Sequence, residues 1–274
     1  MTEIARHRNA VEAWRRHRYD ALRRDIGWLT LAGLGWLKAG VNHLGTDGDN
    51  DVILPSGPSR AGTVTVGDNV VADGDFIHEG AAAHGLRLVN DQQGEPTLLE
   101  LGALRLCVIE RGGRLAIRTW DTSSAVRRSF AGIDHWPVDP AWRLHALFMP
   151  TPDRVLRVPD VLGVEDEEPS PGEVAFEVGG VTHRLQGLPG GDSGELWLVF
   201  GDLTNGAETY GGGRFLYTDA PDADGNVMVD FNLAYNPPCV FSPFATCPLP
   251  WPSNRLAVRI EAGERMYSAR LTAR

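Results

Sequence analysis

The stretch GDLTNGAETYGGGRFLYTDAPDADGNVMVDFNLAYNPPCVFSPFATCPLP (201–250) decides how this chain is read. From Val227 to Asn232 the residues alternate: Val227, Val229 and Phe231 fall on one side, Met228, Asp230 and Asn232 on the other. That period of two is the mark of a strand with one buried face. The run Phe215-Leu216-Tyr217 after Gly211-Gly212-Gly213 reads as a second strand, with Arg214 at its start. An acidic turn separates the two, and Asn236-Pro237-Pro238 forces a stiff, extended exit.

The same stretch concentrates polar and ionisable groups that a plain hairpin does not need. Asp202, Glu208, Tyr210, Arg214, Asp230, Asn232, Tyr235 and Asn236 are the candidate ligand-binding residues. The acids placed opposite Arg214 can bind a polar ligand, orient a water or hold a hard cation through oxygen ligands. The competing reading is structural: Arg214 neutralises one carboxylate and the others cap turns.

Outward from this stretch the text remains β-like. Leu196–Phe200 reads as a buried strand leading into it, and Leu144, Ala146 and Phe148 alternate as another. Two hairpins are predicted at glycine pairs: Leu104–Ile109 with Leu115–Ile117 about Gly112-Gly113, and Ala175–Val178 with Val181–Leu185 about Gly179-Gly180. The acidic, proline-containing segment 164–173 reads as a solvated loop. Residues 3–25 carry the one helical pattern, with Val11, Trp14, Ala21 and Leu22 near one face, Arg8, Arg15, Arg16, Arg23 and Arg24 largely on the rest, and Gly27 as its end. The expected architecture is mainly β. It comprises an N-terminal helix and lead-in (1–40), a β-sandwich (41–120) and a second antiparallel β domain (121–274).

The 274 residues carry 32 glycines and 18 prolines, which favours short strands over a helical bundle. A net charge of −10 argues against nucleic acid as a partner. No apolar run approaches the ~20 residues of a membrane helix, and the arginine-rich first two dozen residues lack a signal-peptide core. A cytoplasmic location with reduced thiols is expected.

Particular residues carry two resemblances. Gly45, Asn50, Asp51, Val52, Leu54, Ser59 and Arg60 within HLGTDGDNDVILPSGPSRAG (43–62) resemble the front of a forkhead-associated β-sandwich. Thr46 and Gly62 replace that family's phosphate-contacting arginine and its histidine, and Glu79-Gly80 stands for its Asn-Gly turn. The resemblance implies the sandwich without phosphothreonine binding. Residues about 118–270 resemble the domain-of-unknown-function family 1684. The match runs through Phe130–Gly132, Trp136–Asp139, Asp202–Arg214, Asp230–Cys239, Cys247–Pro250, Asn254 and Ala262–Glu264. It implies that 201–250 is the family's shared feature and brings no activity with it.

Cys239 and Cys247 read as buried thiols, since the histidines and third cysteine needed for a zinc site are absent nearby. No metal ligand is assigned and no cofactor is named. Gly191-Asp192-Ser193-Gly194 copies a serine-protease motif, but without that family's cysteines or its following Gly-Pro. Two functions fit these residues. One is a hydrolytic or metal-assisted enzyme acting on a small polar substrate in a pocket built by 202–236. The other is a non-catalytic ligand- or partner-binding protein using the N-terminal sandwich.

Overall fold

The computed structural model describes residues 1–267. The chain is mainly β with one long N-terminal helix, Glu3–Leu22, and it forms two compact units. One comprises Ala21–Phe130 and Ser242–Ala245. The other comprises Met1–Asp20, Ala131–Phe241 and, among the described residues, 246–267.

In the Ala21–Phe130 unit two sheets enclose one core. A five-stranded sheet holds Gly40–Gly45, Val52–Ile53, Gly62–Val66, Val70–Gly74 and Leu86–Leu88. A six-stranded sheet is centred on Leu104–Arg111 and Arg114–Asp121. Leu44, Val64 and Ala72 from the first sheet share the core with Leu104, Leu106, Val108 and Ile117 from the second. The predicted hairpin at Gly112-Gly113 is present: Arg111 pairs with Arg114, and both glycines have positive φ (55° and 70°). That is the combination a two-residue turn of type I′ demands. Cys107 is buried in this strand, and burial raises its thiol pKa to about 11.

The other unit is one curled antiparallel sheet. Its strands lie in the order Arg214–Thr218, Leu196–Phe200, Val181–Pro189, Glu165–Val178, Arg143–Pro159, Asn226–Asp230. The first and last of these are neighbours in sequence yet sit at opposite edges. Six strands laid flat put their edges about 24 Å apart at ~4.8 Å per strand. The connector 219–225 is itself folded into a turn, with the Asp222 and Asn226 backbones bonded, so it cannot stretch that far. The sheet curls and brings its edges towards each other. Val174, Phe176, Leu185, Leu198, Phe200, Val229 and Phe231 fill the inside.

Segment 164–173 corrects the reading as a loop: Glu165–Val178 is a continuous strand. Its acids lie across from Arg154–Pro159, with Arg157 opposite Glu167, while Ser170 is buried and its Oγ donates to Gly187 O (2.8 Å). Alternation of exposed acids with small inward residues is compatible with a half-solvated strand, and the composition hid it. The hairpin at Gly179-Gly180 is present as expected, with Val178 opposite Val181.

The helix also differs from its reading. It ends at Leu22, and Gly27 lies beyond it, where a Cβ would come within 2.6 Å of Leu22 O. Its arginines are not mere decoration: Arg15 Nη2 donates to Trp136 O (3.0 Å), and Arg18 grips Glu264. Tyr19 Oη donates to Ile133 O (2.9 Å), close to half-buried His135. Burial, with the charge of Arg15, holds the His135 pKa below its usual value. An unfolded histidine takes up a proton near pH 6.5 that the folded one refuses. Stability therefore falls as pH drops through 6.5 towards the folded pKa. The variant His135→Asn should flatten that part of a pH-denaturation profile.

Candidate functional site

The structure does not gather the eight candidate residues around one hollow. Arg214 and Asp202 form an ion pair at 2.6 Å with both side chains fully buried. Arg214 also donates to Ile260 O (2.9 Å) and Ala262 O, and Asp202 Oδ1 accepts from Thr204 N (2.7 Å). Burial pushes the Arg214 pKa down while Asp202 opposes that shift. This pair is a filled interior joint. Gly213 is required beside it, for its φ is 90° and a Cβ would meet Phe200 O at 2.6 Å.

The others divide among local tasks. Glu208 pairs with Arg259 at the surface (2.7 Å). Tyr210 lies against Cys239, and burial followed by that contact drives its pKa well up. Asn236 is buried, its N donating to Glu264 Oε2 (2.7 Å) and its Nδ2 to Arg265 O (2.8 Å). Tyr235 packs under the Arg18 guanidinium, 4.4 Å from Cζ to the ring centre, and stacks on Tyr217. Asn232 stays beside Asp230, its Nδ2 donating to Asp230 Oδ1 (2.8 Å), but it does not line the cleft. The strand ends at Asp230 and turns into a 3-10 segment, Phe231–Leu233, with Asn232 buried beneath.

Asp230 alone of the eight lines the open cleft of this unit. The cleft has a volume of ≈ 820 Å³ and is bounded by the helix, the two edge strands and residues beside them. The helix contributes Glu3, Arg6, His7 and Ala10, whose i, i+3, i+4, i+7 spacing puts them on one face. The edge strand Arg214–Thr218 gives Tyr217 and Thr218, and Asp219 adds to them just past its end. The opposite edge gives Met228 and Asp230, with Arg143 from the neighbouring strand and Glu195 from the turn 190–195. The gap between the two curled edges is thus the cleft, and the first turns of the helix wall it.

At the wall, His7 Nε2 lies 2.6 Å from Asp230 Oδ2, with both side chains nearly buried. Asp230 Oδ1 accepts from Asn232 N (3.0 Å) and Nδ2 (2.8 Å), and Asn232 is itself locked to the Asp139 backbone. The carboxylate is therefore oriented by a rigid support and spans a histidine on one oxygen and an amide on the other. His7 Nδ1 is buried without a hydrogen-bond partner among the described residues. Arg143 lies 3.5 Å from Glu3. The cleft thus carries guanidinium and carboxylate groups together.

Sequence reasoning missed Glu3, Arg6, His7, Arg143, Tyr217, Asp219 and Glu195. The helical spacing of residues 3, 6, 7 and 10 was legible, but nothing local says that this face meets a strand more than two hundred residues away. In the protease-like segment 191–194, Ser193 N donates to Glu195 Oε2 (3.0 Å) within an exposed turn. Among the described residues, no group of three or more His, Cys, Asp or Glu side chains is placed to hold a metal ion. No described helix is long and apolar enough to cross a membrane.

The family model for Protein of unknown function (DUF1684) matches residues 128–265. The chain belongs to this family. The family segment contains the Arg214–Asp202 joint, Asp230 and its support, Glu264 and both Cys239 and Cys247, whereas His7 and the rest of the helix precede it. No curated protein matches the chain. Among solved structures, an uncharacterized protein of Haloarcula marismortui, determined in solution by NMR, is 30% identical, covering 51% of this chain and 78% of its own, with a TM-score of 0.42.

Proposed function

We propose that this DUF1684 protein binds a small polar molecule carrying charge of both signs in the cleft between the helix and the two sheet edges. The observation that carries this reading is the His7–Asp230 pair on the wall of an ≈ 820 Å³ cleft that also holds Arg6, Arg143, Glu195 and Asp219. A guanidinium held on a strand suits a carboxylate or phosphate, and a carboxylate across the gap suits an ammonium. The test is a thermal-shift screen of amino acids, hydroxy acids and small phosphorylated compounds, followed by titration of any hit. Removing one charge-assisted contact costs about 1.5–3 kcal/mol, so Arg143→Ala and Asp230→Asn should each weaken binding about ten- to hundredfold. A hit that binds both variants as tightly as the unaltered protein would place its site elsewhere.

A catalytic version of this reading is favoured by one observation, the unpartnered Nδ1 of His7. A buried polar atom without a partner calls for a role. An Asp-oriented imidazole is a general acid–base group for hydrolysis. In that version His7→Gln keeps binding within a few-fold but removes turnover of the bound compound. Binding without turnover in the unaltered protein supports the non-catalytic form.

A further inference from the structure

Cys239 and Cys247 come together in the family segment. Cys239 sits in the short 3-10 turn Pro238–Val240, and Cys247 follows the loop that returns to it. The Cys239 amide donates to Cys247 Sγ (3.1 Å). The two side chains also hydrogen-bond each other, and the Tyr210 hydroxyl bonds the Cys239 sulfur. Cys247 is buried, whereas Cys239 is only half-buried. Cys239 is thus the more exposed residue of the pair, and Cys247 is its hydrogen-bonded neighbour.

We propose that Cys239 and Cys247 form a reversible dithiol–disulfide couple that is oxidised by a hydroperoxide. In the first step the Cys239 sulfur attacks the terminal peroxide oxygen. The O–O bond breaks, the thiol proton goes to the departing oxygen, and a sulfenic acid remains on Cys239. In the second step the Cys247 sulfur attacks that sulfenyl sulfur. The S–S bond forms, the S–O bond breaks, and the hydroxyl leaves as water with the Cys247 proton. Two thiols have lost two electrons and two protons, and the hydroperoxide has been reduced to an alcohol, or to water in the case of hydrogen peroxide, with one further water. A dithiol reverses the change by exchange.

The surroundings favour this division of labour. The hydrogen bond from Cys247, with that from Tyr210, lowers the Cys239 thiol pKa against the effect of burial. The same burial, with no such donors among its causes, raises the pKa of Cys107. Thiolate character and access govern attack on peroxide, so Cys107 is an internal control.

The experiment treats the native full-length protein with one equivalent of hydrogen peroxide and maps its peptides by mass spectrometry. Two of the three thiols should disappear, in a linked peptide pair containing Cys239 and Cys247 lighter by two hydrogens, with Cys107 unchanged. Dithiothreitol should restore both thiols. In Cys247→Ser, Cys239 should instead gain oxygen and become trappable by dimedone. Absence of the 239–247 linkage in the unaltered protein, or oxidation of Cys239 less than about tenfold faster than Cys107, overturns the proposal.

Discussion

Replacing Arg214 by methionine is expected to lower the unfolding free energy by about 3–5 kcal/mol, the cost of leaving a buried carboxylate without its partner. The size comes from place rather than from charge alone. Both side chains of the Arg214–Asp202 pair are fully buried, and the guanidinium also holds the carbonyls of Ile260 and Ala262. Methionine fills comparable space but supplies none of those donors. Asp202 then faces an apolar wall while still accepting from Thr204 N. The double variant Arg214→Met with Asp202→Asn should recover part of the loss, because the amide oxygen keeps the turn bond and the stranded charge is gone. Urea denaturation of the three proteins reads this. Equal stability of Arg214→Met and the unaltered protein would show the pair to be expendable.

Glu264→Leu should be the second large effect, about 3 kcal/mol or more, and it should reach the cleft as well. Glu264 is fully buried and receives Arg18 through Nε and Nη2, with Asn236 N on its second oxygen (2.7 Å). Arg18 continues to Asn236 O (2.9 Å) and lies over the Tyr235 ring. This cluster fixes the helix whose first turns carry His7, Arg6 and Glu3 along the cleft. Cutting it loosens the helix on the sheet, and ligand affinity should fall with stability. Glu264→Gln keeps one of the two acceptor oxygens and the side chain's shape, sets its NH2 against an N–H donor, and should still lose less of both than the leucine variant. Denaturation and ligand titration of the two variants measure the pair of effects; a Leu variant that binds ligand normally would detach the helix from the site.

Much of the fold was legible because its signals are local. Val227–Asp230 showed its alternation, Gly112-Gly113 and Gly179-Gly180 showed their turns, and helix 3–22 showed its period. Segment 165–173 misled because Glu and Pro dominate its composition, while its strand character comes from pairing with Arg154–Pro159. The site was legible only at Asp230. The cluster 202–236 is polar because a curled sheet and a long irregular tail must satisfy many buried backbone groups. Asn232 bonds Asp139, Asn236 bonds Arg265, and Arg214 bonds Ile260 and Ala262. Such polar density marks interior joints as readily as a ligand site, and sequence does not separate the two. Arg143, Tyr217 and His7 were invisible for a different reason: they meet only because the edge strands at 214–218 and 226–230 approach each other around the curl.

In the proposed reading, ligand binding resides at the His7–Asp230 wall and the triple-glycine segment with Arg214 is scaffold. Backbone and histidine side-chain NMR of the isotopically labelled protein, titrated with a compound found by the thermal-shift screen, tests it most directly. Shifts concentrated at His7, Arg143, Tyr217, Asp219 and Asp230, with Gly211–Arg214 undisturbed, are the expected result. Shifts that centre on Gly211–Arg214 and leave the His7 ring unchanged would contradict it.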